Sequence, residues 1–142
     1  MNKSKKPIIK EIPKLSKSGH SIVRRRLPEN RPGLTRRVDA CGFTFYLTVN
    51  FFDDLQPGEV FIVIAKEGST VSGFIDALAV TLSIAFQYGT PWKVLVDKYL
   101  NQVFEPKDDV NSSLVHAIGM NISEVIELWQ KINSDEEKVK LP

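Results

Sequence analysis

A chain of 142 residues, 42% hydrophobic and 25% charged, has the composition of one soluble globular domain with room for a real core. A single cysteine, Cys41, excludes an internal disulfide, and with only His20 and His116 beside it no zinc-ligand spacing exists, so no metal site is expected. The basic N-terminus lacks the apolar stretch of a secretory signal, and the expected location is cytoplasmic, with no membrane contact.

The net charge of +2 conceals a division. Residues 1–37 carry twelve Lys/Arg against two acids, a net of +10, while the remainder carries seven against fifteen, a net of −8. Residues 1–33 read as a basic, largely disordered arm and linker, rich in lysine and broken by Pro7, Pro13, Pro28 and Pro32. Arg24, Arg25 and Arg26, with Arg36 and Arg37 beyond them, are candidate contacts to nucleic acid or to a protein partner. The competing reading has these arginines paired with acids of the body.

Residues 34–133 are the expected folded domain. Thr35 to Asp39 reads as a short strand and Ala40-Cys41-Gly42 as a tight turn. From Phe43 to Phe52 apolar and polar residues alternate, the pattern of an antiparallel strand with one face in the core. After a turn at 53–58, Val60 to Ala65 is a continuous apolar run, expected to be a strand covered on both faces. Ser69 or Thr70 then caps a long helix that ends at Gly89. One side of it carries Val71, Phe74, Ile75, Leu78, Ala79, Leu82, Ala85 and Phe86; the other carries Ala77, Val80, Ile84 and Tyr88. Apolar on both sides, it is expected at the centre of the core.

Thr90-Pro91 opens a second helix, with Val94, Leu95, Val96, Tyr99, Leu100 and Val103 on its buried side. A short turn of helix is expected at 114–118, and Asn121-Ile-Ser-Glu124 has the capping-box pattern that would start a final helix. Residues 134–142 read as a charged, frayed tail. The expected fold class is α+β: a small antiparallel three-stranded sheet packed against a central buried helix, with two further helices.

Catalytic constellations are scarce, and no catalytic residue is assigned. Cys41 has no identifiable base, and His116 reads as a surface or half-buried residue of a short helix rather than a base. The stretch with ligand chemistry is the strand-to-helix turn. Gly68, Ser69, Thr70, Ser72 and Gly73, with Lys66 before them, could hold a nucleotide or phosphate against a helix N-terminus. Capping alone also accounts for the hydroxyls, and the spacing is not that of a P-loop. Gly73 and Ala77, small and four apart, would also permit close packing inside the chain or between copies, so a homo-oligomer is a further expectation.

The run from Arg25 to Pro106 resembles a known domain. LPENRPGLTRRV, and then PGEVFIVIAKEGSTVSGFIDALAVTLSIAFQYGTPWKVLVDKYLNQVFEP, are similar to the TSCPD domain near the C-terminus of adenosylcobalamin-dependent (class II) ribonucleotide reductases. Its marks here are the LPENRP entry, the GEVFI strand, the AKEGST turn, the helix closing on QYG and the final FEP. The resemblance implies an accessory or subunit-like module for a reductase large chain, free-standing here, in deoxyribonucleotide supply and DNA synthesis. It implies adenosylcobalamin only in that partner, because one cysteine cannot run the reductase's radical and redox-pair chemistry. The alternatives are a nucleotide- or phosphoanion-binding module without a reductase partner, and a nucleic-acid-binding accessory protein using the basic arm.

Overall fold

The computed structural model describes residues 23–65 and 68–140. The expectations for residues 1–22, for Lys66 and for the last two residues lie outside them. The element order is β1 (Gly33–Ala40), β2 (Phe43–Phe51), β3 (Pro57–Ile64), α1 (Thr70–Gln87), α2 (Trp92–Leu100) and α3 (Leu114–Lys140). The three strands form one antiparallel sheet in the order β1-β2-β3. The fold class is α+β, as the sequence leads one to expect.

Local chemistry explains the hairpins. The β1–β2 turn is two residues long, with Cys41 at φ 53° and Gly42 at φ 80°. Positive φ at both positions gives the twist that matches a right-handed strand pair. At the other end of β2 the register shifts between Asn50 and Phe51, so that Asn50 faces Glu59 and Phe51 faces Pro57. Gly58 is the extra residue, and Leu27 of the linker rests on it: a Cβ there would meet a Leu27 methyl at 2.8 Å.

Phe45, Leu47, Val49 and Phe51 of β2 are buried, as their alternation predicts, together with Val38, Val60, Ile62 and Ile64 of the neighbouring strands. Helix α1 packs on β3, α3 on β1 and β2, and α2 on α3. All three helices serve one side of the sheet. Two expectations of burial therefore fail. Phe61 and Val63 of β3 alternate to the uncovered face and are 50% and 59% exposed. On α1, Ile75, Ala79, Leu82 and Phe86 are buried, but Phe74, Val80, Ile84 and Tyr88 are exposed. A three-stranded sheet has room beneath it for only one stripe of this helix.

That stripe also seals the edge of the sheet. The Ser83 hydroxyl accepts from the Val60 N–H at 2.9 Å and lies 3.2 Å from the Val60 carbonyl. The Gln87 amide donates to the Gly58 carbonyl at 2.9 Å. Backbone groups that would otherwise be open to another strand are thus occupied from within. By length and apolar content α1 could cross a membrane, but these side-chain bonds are those of a helix packed on protein.

Helix α3 is one element where two were expected. Ser113, fully buried, accepts from the His116 N–H and starts it. Gly119 lies inside the helix against α2, where a Cβ would stand 2.7 Å from Tyr99 Cβ. Asn121 is not a cap: its amide donates to the Ala117 carbonyl one turn back. With Ile118, Ile122, Val125 and Ile126 buried at helical spacing, packing carries the helix through the capping-box sequence. It continues to Lys140 because neither glycine nor proline intervenes before Pro142. On α2, Trp92 and Val96 are buried, while Val94 is exposed, as is Val103 beyond the helix end.

Candidate functional site

The strand-to-helix turn keeps the capping role that its sequence suggests. Gly68 has φ 73°, a conformation that glycine adopts without strain. The Ser69 hydroxyl accepts from the Ser72 N–H at 3.1 Å, and the Gly73 N–H closes the first turn on the Ser69 carbonyl. Thr70 and Val71 are the first residues of α1, where N–H groups have no intrahelical acceptor. Gly73 admits no close neighbour, since a Cβ there would meet nothing within 4 Å. Gly68, Ser69, Thr70, Ser72 and Gly73 are therefore together at one helix end.

Beside this turn lies an apolar groove that the sequence did not reveal. Val71, Phe74 and Leu78 of α1 form one wall, and Phe104 and Pro106 form the other, around about 390 Å³. Phe74 is 73% exposed. Its position in the helical stripe is indistinguishable from that of a buried residue, so no local signal marks it. The loop that carries Phe104 is held by the side chains after it: Ser112 and Ser113 hydroxyls both donate to the Gln102 carbonyl.

The candidate arginines do not converge on one surface. Arg24 Nε donates to Gln87 Oε1 at 2.6 Å, and the Arg25 N–H donates to the Gln87 carbonyl, so the linker is tied to the end of α1. The Arg25 guanidinium pairs with Asp54 at 2.8 Å and stacks 3.8 Å from the centre of the Phe52 ring. The hydrogen bond from Arg25 holds the Asp54 carboxyl below its usual range. Arg36 reaches to Glu124 and Asn121 of α3, whereas Arg37, the next residue and so on the opposite face, pairs with Asp39 at 3.7 Å. Arg26 is exposed and makes no ion pair among the described residues. A sixth arginine, Arg31, was missed. It forks onto Glu59 at 2.5 and 3.1 Å, and Glu59, 7% exposed, also accepts from Asn50. A bidentate pair at a nearly buried carboxylate anchors the linker, and nothing local in an apolar strand announces it.

Elsewhere the polar groups are structural. Asp108 accepts from the N–H groups of Cys41, Val110 and Asn111, which together hold its carboxyl far below the usual range. Cys41 is buried, and burial first, then the Asp108 charge, pushes its thiol up. A protonated thiol of this kind is a poor nucleophile. His116 Nδ1 lies 3.3 Å from Asn111 Oδ1. Burial raises the Tyr99 phenol to about 12. Among the described residues no three His, Cys, Asp or Glu side chains gather as metal ligands would.

The TSCPD domain family matches residues 17–127, which takes in the linker, the sheet, all of α1 and α2 and the first half of α3. The chain belongs to the TSCPD domain family. This TSCPD chain is 40% identical over 106 residues to the vitamin B12-dependent ribonucleotide reductase of Rhodopirellula baltica, covering 75% of the chain and 10% of the reductase. It is 40% identical over 103 residues to that of Streptomyces clavuligerus, covering 70% and 11%. For Streptantibioticus cattleyicolor the figures are 43% over 84 residues, 59% and 14%. The chain thus spans only about a tenth of the length of the reductases it matches. No solved structure matches it significantly.

Proposed function

We propose that this TSCPD chain is an accessory, subunit-like module for a B12-dependent ribonucleotide reductase, acting in deoxyribonucleotide supply and not catalytic alone. The observation that supports it is the 40% identity to one segment of such reductases, coupled with a lone buried cysteine. The partner would hold adenosylcobalamin. The described residues do not fit that cofactor: their grooves measure about 390 to 450 Å³, far too small for a corrinoid, and His116, the only described histidine, turns to Asn111. A module in that role would act in the cytoplasm. The chain, tagged and expressed at its native level, should co-purify with a reductase large chain; a clean negative would count heavily against the proposal.

A second reading rests on the groove beside the Gly68–Gly73 turn. A nucleotide could set its phosphates against the N–H groups of Thr70 and Val71 and its base between Phe74 and Phe104. Binding would raise the melting temperature in a nucleotide panel. No shift at millimolar nucleotide would remove this reading. Nucleic-acid binding through Arg26 and the arm predicts a steeply salt-dependent affinity that is lost with residues 1–22.

A further inference from the structure

On the far side of α1 from the turn lies a second groove, between the exposed stripe of α1 and the uncovered face of β3. Phe61 and Val63 form one wall and Val80 and Ile84 the other, with Asp76 at one end and Arg24 at the other, around about 410 Å³. All four apolar residues are exposed, from 38% to 59%. Apolar surface gathered into a groove marks a binding surface more often than apolar residues scattered singly do. The β3 edge itself is occupied by Ser83 and Gln87, so an occupant would bind by side chains rather than as an added strand.

We infer that this groove is filled by the chain's own N-terminal segment, through Ile8 to Leu15. Three observations converge on it. The described chain starts at the groove's mouth: Arg24 lines one end and is tied to Gln87, and twenty-two residues precede Val23. The segment has the length: from Gln87 to Asp76 the helix rises about 16 Å, which about five extended residues span. It has the chemistry: IIKEIPKL sets Ile8, Ile9, Ile12 and Leu15 among lysines, and residues 1–22 hold six lysines against one acid. The body after residue 37 carries a net of −8, and Asp76 is the only charge on α1. Tethering raises the effective concentration of the segment at the groove to the order of millimolar, so modest contacts suffice. Ile8–Leu15 precedes the family match, which starts at residue 17, so the inference does not rest on the proposed reductase partnership.

The test uses the full chain with Phe61→p-benzoylphenylalanine, an aromatic exchange at an exposed site. On irradiation, mass mapping should find the crosslink on residues 1–22 of the same molecule. A crosslink to a second copy, or none to that segment, would overturn the inference. In parallel, tryptic cleavage at Lys10 and Lys14 should be at least about tenfold faster in a Val80→Ser/Ile84→Ser variant with unchanged circular dichroism, because a closed site is cut only as it opens. Equal rates would also overturn it.

Discussion

The two faces of α1 are almost equally apolar, yet they do different things. One face, with Ile75, Ala79, Leu82 and Phe86, is buried in the core, and Ser83 and Gln87 beside it bond to β3. The other, with Val80, Ile84 and Tyr88, is exposed among the described residues. The difference teaches that hydrophobicity marks where a helix can be buried, while the number of strands decides how much of it is. Bonds from Ser83 and Gln87 to the β3 backbone, not greater greasiness, tell the inner face from the outer.

The largest effect should come from cutting the inner face. Leu82→Ala, at a site 2% exposed, should cost about 2–5 kcal/mol in urea denaturation, whereas Val80→Ala should stay within about 0.5 kcal/mol of wild type. Similar losses at both positions would erase the distinction. Next comes Gly119→Ala. Its Cβ would press on Tyr99 Cβ, so α2 and α3 should part at a cost of about 1–3 kcal/mol. Ser83→Ala should cost about 1–3 kcal/mol, because Val60 loses a partner in a place water does not easily reach; an unchanged midpoint would mean that the edge is not sealed there.

Much of this was legible from residue order. β2 alternates so regularly that its inner face could be named residue by residue, and Cys41-Gly42 and the Ser69 cap are local chemistry read at short range. The family was legible too, in the AKEGST turn and the FEP close. The misses are long-range. Phe61 and Val63 sit in a run that reads as doubly covered, but only the count of layers reveals which face is open. Asn121-Ile-Ser-Glu124 has every feature of a helix start, and packing of Ile118 and Ile122 against the sheet overrides it. The partners of Arg24 and Arg36 stand 63 and 88 residues away, beyond any spacing rule. For the candidate site, the turn was visible and the groove beside it was not, because Phe74 and Phe104 meet only in the fold.

Smaller effects sharpen the contrast between buried and exposed polar groups. The Tyr99 phenol has its folded value raised to about 12, above the unfolded one, so its contribution is complete below about pH 10 and is lost as pH rises through 12. Ultraviolet titration should show one tyrosine ionising late, in step with alkaline loss of stability. Smallest of all, Asp54→Asn should cost less than about 1 kcal/mol and still less at high salt, since that pair with Arg25 is half exposed.

The most direct measurement of the functional proposal is sedimentation of the purified chain with a B12-dependent reductase from which the homologous segment has been deleted. A stoichiometric complex at micromolar concentration is the predicted result. Two independently sedimenting species, with the reductase folded and the chain intact, would contradict it.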